Sequence, residues 1–133
     1  MKKVKSKERY KNTDQSIIKS FKHAFEGLRY SFFAESNMLI HFLMVVIVLL
    51  ASAVLQLNTI EWILVILISF IVIAAELINT SIEVLIDMLE PEFNPLAKIA
   101  KDCSAAAVMV LSFAAVIIGV IIFLPKILEM IFV

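Results

Sequence analysis

Apolar positions along this chain form one periodic stretch and three continuous runs, and each marks an element. From Ile17 they recur at three- and four-residue steps, through Phe21, Ala24, Leu28 and Phe32, while Lys19, Lys22, Glu26 and Arg29 take the opposite face. That pattern predicts an amphipathic helix over 14–34, with Asp14 placed to cap it and Thr13 or Ser16 as alternatives. A basic polar face behind a Phe-rich apolar one suits a helix lying in a membrane interface. Periodicity then gives way to continuous apolar runs. The first, Met38 to Leu55, opens with Glu35, Asn37 and His41 and closes at the polar break Gln56 to Glu61. Trp62 opens the second, which continues to Leu89, and EPEFNP (Glu90 to Pro95) ends it, because two prolines so close leave a helix no continuation. A third run crosses as Cys103 to Leu124, with Pro125 expected to end the span. The spans are therefore predicted at about 38–56, 61–89 and 97–124.

Composition agrees with those runs. The 133 residues are 62% hydrophobic, more than a soluble domain of this size can bury, so lipid must cover part of the surface. Net charge is zero, yet nine of the twelve Lys and Arg residues lie at or before Arg29. Residues 1–13 read as a basic flexible tail beside an anionic membrane surface, and 14–133 as a single membrane domain. The basic N-terminal tail and the Lys98–Lys101 segment place both on the cytoplasmic side, with the 56–61 turn and the C-terminus extracytoplasmic. Cys103 is the single cysteine, which excludes an intrachain disulfide and any Cys-based metal site. No nucleic-acid partner is expected.

The chemistry gathers in AELINTSIEVLID, Ala75 to Asp87. At about 100° per residue, Glu76, Asn79, Glu83 and Asp87 fall within about 80° of one another on a helix. Ionisable groups at membrane depth are costly and usually face a bundle interior or a wet cavity. With Glu35 and Asp102 they offer only oxygen donors, which suits magnesium better than zinc. His23 and His41 read as interfacial polar residues rather than metal ligands. Only Gly27 and Gly119 are available, so no glycine loop can cradle a phosphate, and Lys101 is the natural cation for one. The small-residue run Cys103 to Ala107 permits close approach by a neighbouring helix. A transport or proton-relay subunit is the rival class, but a relay needs ionisable groups staggered through the bilayer, and here they collect at one end.

The run Glu76-Leu77-Ile78-Asn79-Thr80-Ser81-Ile82-Glu83, with Asp87 four residues on, resembles the signature of the small prokaryotic diacylglycerol kinase family. Ala97-Lys98-Ile99-Ala100-Lys101-Asp102 with the Ala-rich segment after it resembles a second block of that family, and Gly27-Leu28-Arg29 followed by Glu35 a first. Asn37, His41 and the Ile121 to Lys126 ending are most similar to its Gram-positive branch, whose members phosphorylate undecaprenol. The resemblance implies an ATP- and magnesium-dependent lipid kinase, an all-α integral membrane homotrimer with active sites shared between subunits. It makes Glu76 the general base, Glu35 and Glu83 the magnesium ligands, and Asn79 a contact for the reacting hydroxyl. His23, Glu35, Glu83, Glu92, Asn94, Lys101 and Asp102 become the nucleotide side. Diacylglycerol is the alternative acceptor. Asn94 stands where a histidine is common in the family, and Ser16 where some members carry an arginine that Lys19 or Lys22 would replace.

Overall fold

The computed structural model describes residues 17–132; the basic tail, the expected cap at Asp14 and Ser16 lie outside the described residues. Four helices follow one another: α1 Ile17–Ala34, α2 Ser36–Val54, α3 Thr59–Leu89 and α4 Pro95–Phe132. α2, α3 and α4 are each long and apolar enough to cross a membrane. The protein is all-helical and multi-pass, as its hydrophobic runs predict. α3 packs chiefly against α4 and then α2, while α1 rests on α2 and α3.

The burial pattern is that of a lipid-solvated chain. Among the described residues six hydrophobic side chains are buried (Met38, Leu57, Val65, Val72, Val108 and Ile122), and the other buried ones are polar: Ser31, Ser52, Ser69, Glu76, Asn79 and Thr80. Large apolar side chains from Leu39 to Phe132 point outward instead. Inside a bilayer this costs nothing, because lipid tails solvate Leu and Ile as well as a core does. The polar groups have to find partners inside, since the hydrocarbon offers none.

Each helix end has a local cause. Between α1 and α2 the chain breaks at one residue, Glu35, in an extended conformation, and its N–H still donates to the Ser31 carbonyl at 3.0 Å. The Glu35 side chain makes no capping bond. The α2–α3 turn is shorter than the predicted break. Gln56 takes a positive φ of 51°, and Asn58 with Glu61 forms a capping box: Asn58 Oδ1 accepts from the Glu61 N–H at 3.0 Å, and Glu61 Oε2 from the Asn58 N–H at 2.8 Å. Leu57, Val65 and Ile122 form a small core beside this turn, with Trp62 and Phe123 packed on it.

α4 corrects one expectation. Pro125 does not end it; the helix continues to Phe132 with the proline inside. Proline removes one backbone hydrogen bond and crowds the preceding turn. Here the continuation is anchored from outside the helix: Lys126 Nζ lies 3.1 Å from Glu61 Oε2 on α3. That tertiary tie is invisible to a reading of α4 by itself. At about 1.5 Å per residue α3 and α4 exceed the roughly 30 Å hydrocarbon layer, so both project from it.

Candidate active site

The middle of α3 delivers its polar residues to three different neighbours. Glu76 faces inward at 2% exposure; its Oε2 lies 4.0 Å from His41 Nε2 on α2, and its Oε1 has no hydrogen-bond partner. Asn79, one turn on, donates from Nδ2 to Glu83 Oε1 at 3.0 Å and accepts at Oδ1 from Ser104 Oγ of α4 at 2.6 Å. A carboxylate can only accept, so Glu83 fixes which end of the amide faces it, and Ser104 then has to be the donor at the other end. The same Ser104 hydroxyl lies 2.8 Å from the Lys101 carbonyl, the longer arm of a shared bond. Thr80 Oγ1 donates to the Glu76 carbonyl at 3.0 Å, which uses its one proton; Ser31 of α1 is therefore the donor in the 2.9 Å Ser31–Thr80 contact. Both hydroxyls are buried, so this bond pins α1 to α3 one turn from Glu76.

A cavity of about 260 Å³ opens on this arrangement, lined by Asn37, His41, Glu76, Asn79, Val108 and Ser112 among others. Asp87 holds Lys101, joining the last turns of α3 to the first of α4, and Lys98 pairs with Asp102 along α4.

The expected site residues therefore divide. Asn79 is hydrogen-bonded to Glu83 and Ser104 and lines one cavity with Glu76, while Lys101 meets Ser104 only through its backbone carbonyl, its side chain being held by Asp87. His23 is not part of it: it sits on the exposed face of α1, with Nδ1 3.1 Å from Glu26. Glu92 lies exposed in the α3–α4 loop. Asn94 is occupied locally, its Oδ1 accepting from the Leu96 N–H at 2.9 Å at the head of α4. With Pro95 as the first helical residue this is a regular helix start, so an asparagine suits the position without any ligand.

Sequence reading missed Ser104, Ser112 and the Ser31–Thr80 pin. Ser104 lies three residues beyond Lys101 and so shares its face of α4, a signal that was present but overshadowed by the small size of its neighbours.

Among the described residues no three His, Cys, Asp or Glu side chains converge to hold a metal unaided. That fits magnesium carried by a nucleotide, which takes one or two carboxylates and completes its shell with phosphate and water oxygens. Glu83, with one oxygen engaged by Asn79, and the uncapped Glu35 are donors of that kind.

Residues 22–123, which hold every element of this site, match the model of the prokaryotic diacylglycerol kinase family. The undecaprenol kinase of Bacillus subtilis (strain 168) is 37% identical over 117 residues, covering 88% of this chain and 95% of that protein. A diacylglycerol kinase of Synechocystis is 37% identical over 116 residues, covering 86% of this chain but 66% of its own length. The diacylglycerol kinase of Escherichia coli K12 is 29% identical over 101 residues, 76% of this chain and 83% of the relative. The matched range takes in the carboxylate-bearing helix and the lysine beside it, and this chain is a member of the prokaryotic diacylglycerol kinase family.

Proposed function

We propose that this lipid kinase transfers the γ-phosphate of ATP to the hydroxyl of undecaprenol at the cytoplasmic membrane face, as a homotrimer with shared active sites. One observation carries the reading: Glu76 is buried, and its Oε1 is unpartnered at a cavity that also holds Asn79. An orphaned carboxylate oxygen at such a cavity is placed to accept a proton from an alcohol. In the proposed reaction Glu76 takes the acceptor's proton and Asn79 holds the acceptor in place. The alcohol oxygen bonds to the γ-phosphorus as the bond to the bridging oxygen breaks, releasing ADP. Phosphoryl transfer asks chiefly for alignment and for cancelled phosphate charge. Magnesium supplies much of that cancellation when bound, and Glu35 and Glu83 would hold it. Lys101 with Asp102 would face the nucleotide, with His23, Glu92 and Asn94 as its outer contacts. α1 would lie in the membrane interface, the N-terminus on the cytoplasmic side and the C-terminus outside, following the distribution of Lys and Arg.

Undecaprenol is preferred over diacylglycerol because the Bacillus relative aligns over nearly its whole length. A proton relay fits poorly. α2 has no ionisable residue beyond His41, α3 has none between Glu61 and Glu76, and α4 none between Cys103 and Lys126.

The test is phosphate transfer from radiolabelled ATP by the purified protein in detergent, with undecaprenol and diacylglycerol offered separately. Undecaprenol should show the higher kcat/KM. A preference for diacylglycerol would reassign the acceptor, and transfer to neither would end the kinase reading. The nucleotide assignment makes its own prediction. Lys101→Met should raise the KM for ATP about 10- to 100-fold, the worth of one charge-assisted hydrogen bond, and leave the lipid KM nearly unchanged. A raised lipid KM with unaltered ATP kinetics would make Lys101 a membrane anchor.

A further inference from the structure

Two side-chain atoms among the described residues are buried without a hydrogen-bond partner, Glu76 Oε1 and Ser112 Oγ. Both residues line the same cavity. Glu76 comes from α3 and Ser112 from α4, so the cavity joins two unsatisfied groups from facing helices. Unsatisfied polar groups are rare because water or a partner normally claims them, and each one calls for an explanation.

Ser112 also lines a second cavity, of about 330 Å³, between α2, α3 and α4. Its wall is apolar, built from residues such as Met44, Val48, Val65, Val72 and Val116, with Ser69 its one polar residue outside the boundary. His41 and Ser112 are the residues that the two cavities share. A molecule occupying both must be apolar along its length and end in a hydrogen-bonding group where His41 and Ser112 meet Glu76. A long-chain alcohol has that form.

We propose that Ser112 is a specificity-determining contact for the acceptor alcohol, donating its hydroxyl proton to the acceptor oxygen while that oxygen's own proton points at Glu76 Oε1. Each orphan gains one bond, and the acceptor oxygen gives one and takes one. As Glu76 draws the proton away, the Ser112 O–H faces growing negative charge on the oxygen, where its bond strengthens. The alkyl chain lies in the apolar cavity. A chain without polar atoms beyond its hydroxyl suits that wall better than one bearing ester carbonyls, which would compete there for Ser69 alone. This inference rests on the kinase reading and adds to it the residue that recognises the alcohol.

Ser112→Ala and Ser112→Thr in the full-length protein test it, with two readouts. In the transfer assay Ser112→Ala should lower kcat/KM for undecaprenol about tenfold, the net effect of one hydrogen bond, and leave the KM for ATP unchanged. Ser112→Thr, which keeps the hydroxyl, should stay close to wild type. Lipid kinetics unchanged in Ser112→Ala, or a loss that Thr does not rescue, overturns the proposal. The second readout needs no turnover. A photoreactive prenyl alcohol should label the 105–119 segment of α4 in wild type, with labelling weakened in Ser112→Ala and competed by undecaprenol. Absence of label from that segment means that a water or a neighbouring chain fills the cavity, and the proposal fails. A wild-type protein that is labelled there but transfers no phosphate keeps the alcohol site and loses the kinase reading.

Discussion

Glu76→Gln should lower kcat by about 10²–10⁴-fold while leaving the KM for ATP nearly unchanged, the span expected when a general base is lost. The substitution keeps shape, volume and burial. It removes only the capacity to take a proton, at a residue whose Oε1 has no other partner. Packing should be unaffected, since the helix here is held by the Thr80 bond to the Glu76 carbonyl and by Ser31 beyond it, neither of which involves the side chain. Single-turnover kinetics with ATP in excess will separate loss of chemistry from loss of binding. A folded Glu76→Gln protein of wild-type rate removes Glu76 from the mechanism.

Mixing two dead variants should restore activity. The chain's own cavity, about 260 Å³, is lined by Glu76 and Asn79 but by neither Glu35 nor Glu83, and no three ligands converge among the described residues. Glu35 sits at the α1–α2 break, and Glu83 further along α3 with one oxygen committed to Asn79. A site completed between chains would draw these two carboxylates from different copies. Glu35→Ala and Glu83→Ala should each be inactive, because losing either donor leaves the metal–nucleotide unheld. In a ring of three, equal co-assembly gives about a quarter of the sites both native carboxylates, so activity should recover to about that fraction. Crosslinked mixed trimers with no activity at any ratio would place both ligands in one chain.

The parts of this protein that composition controls were plain in its sequence. α2 and α3 follow from apolar runs that nothing but lipid or a core could accept, and burial of Glu76 follows from its position inside one of them. What depends on how two helices meet was hidden. Asp87 reads as the third carboxylate of a polar face, yet it serves to hold Lys101, because the EPEFNP loop brings the ends of α3 and α4 together. Ser104 and Ser112 look like small packing residues until the register of α4 against α3 sets one on Asn79 and the other in the Glu76 cavity. Asn94 followed by Pro95 is a helix start, and the structure uses it as one. Pro125 reads as a terminator from α4 alone, without the Glu61 carboxylate that lies across from Lys126.

That last pair bears on how the protein is made. Glu61 belongs to the α2–α3 turn and Lys126 to the far end of the chain, which leaves the ribosome much later. With the N-terminus cytoplasmic, as proposed, the turn would cross the bilayer during synthesis carrying a carboxylate whose Lys126 partner does not yet exist. Its capping bond from the Asn58 N–H would then already be available to it. When α4 follows, Lys126 meets Glu61, and two solitary charges become one neutral couple that neither could form before the third span was in place. The last span would thus be tied to the turn before it at the end of the bundle away from Glu76.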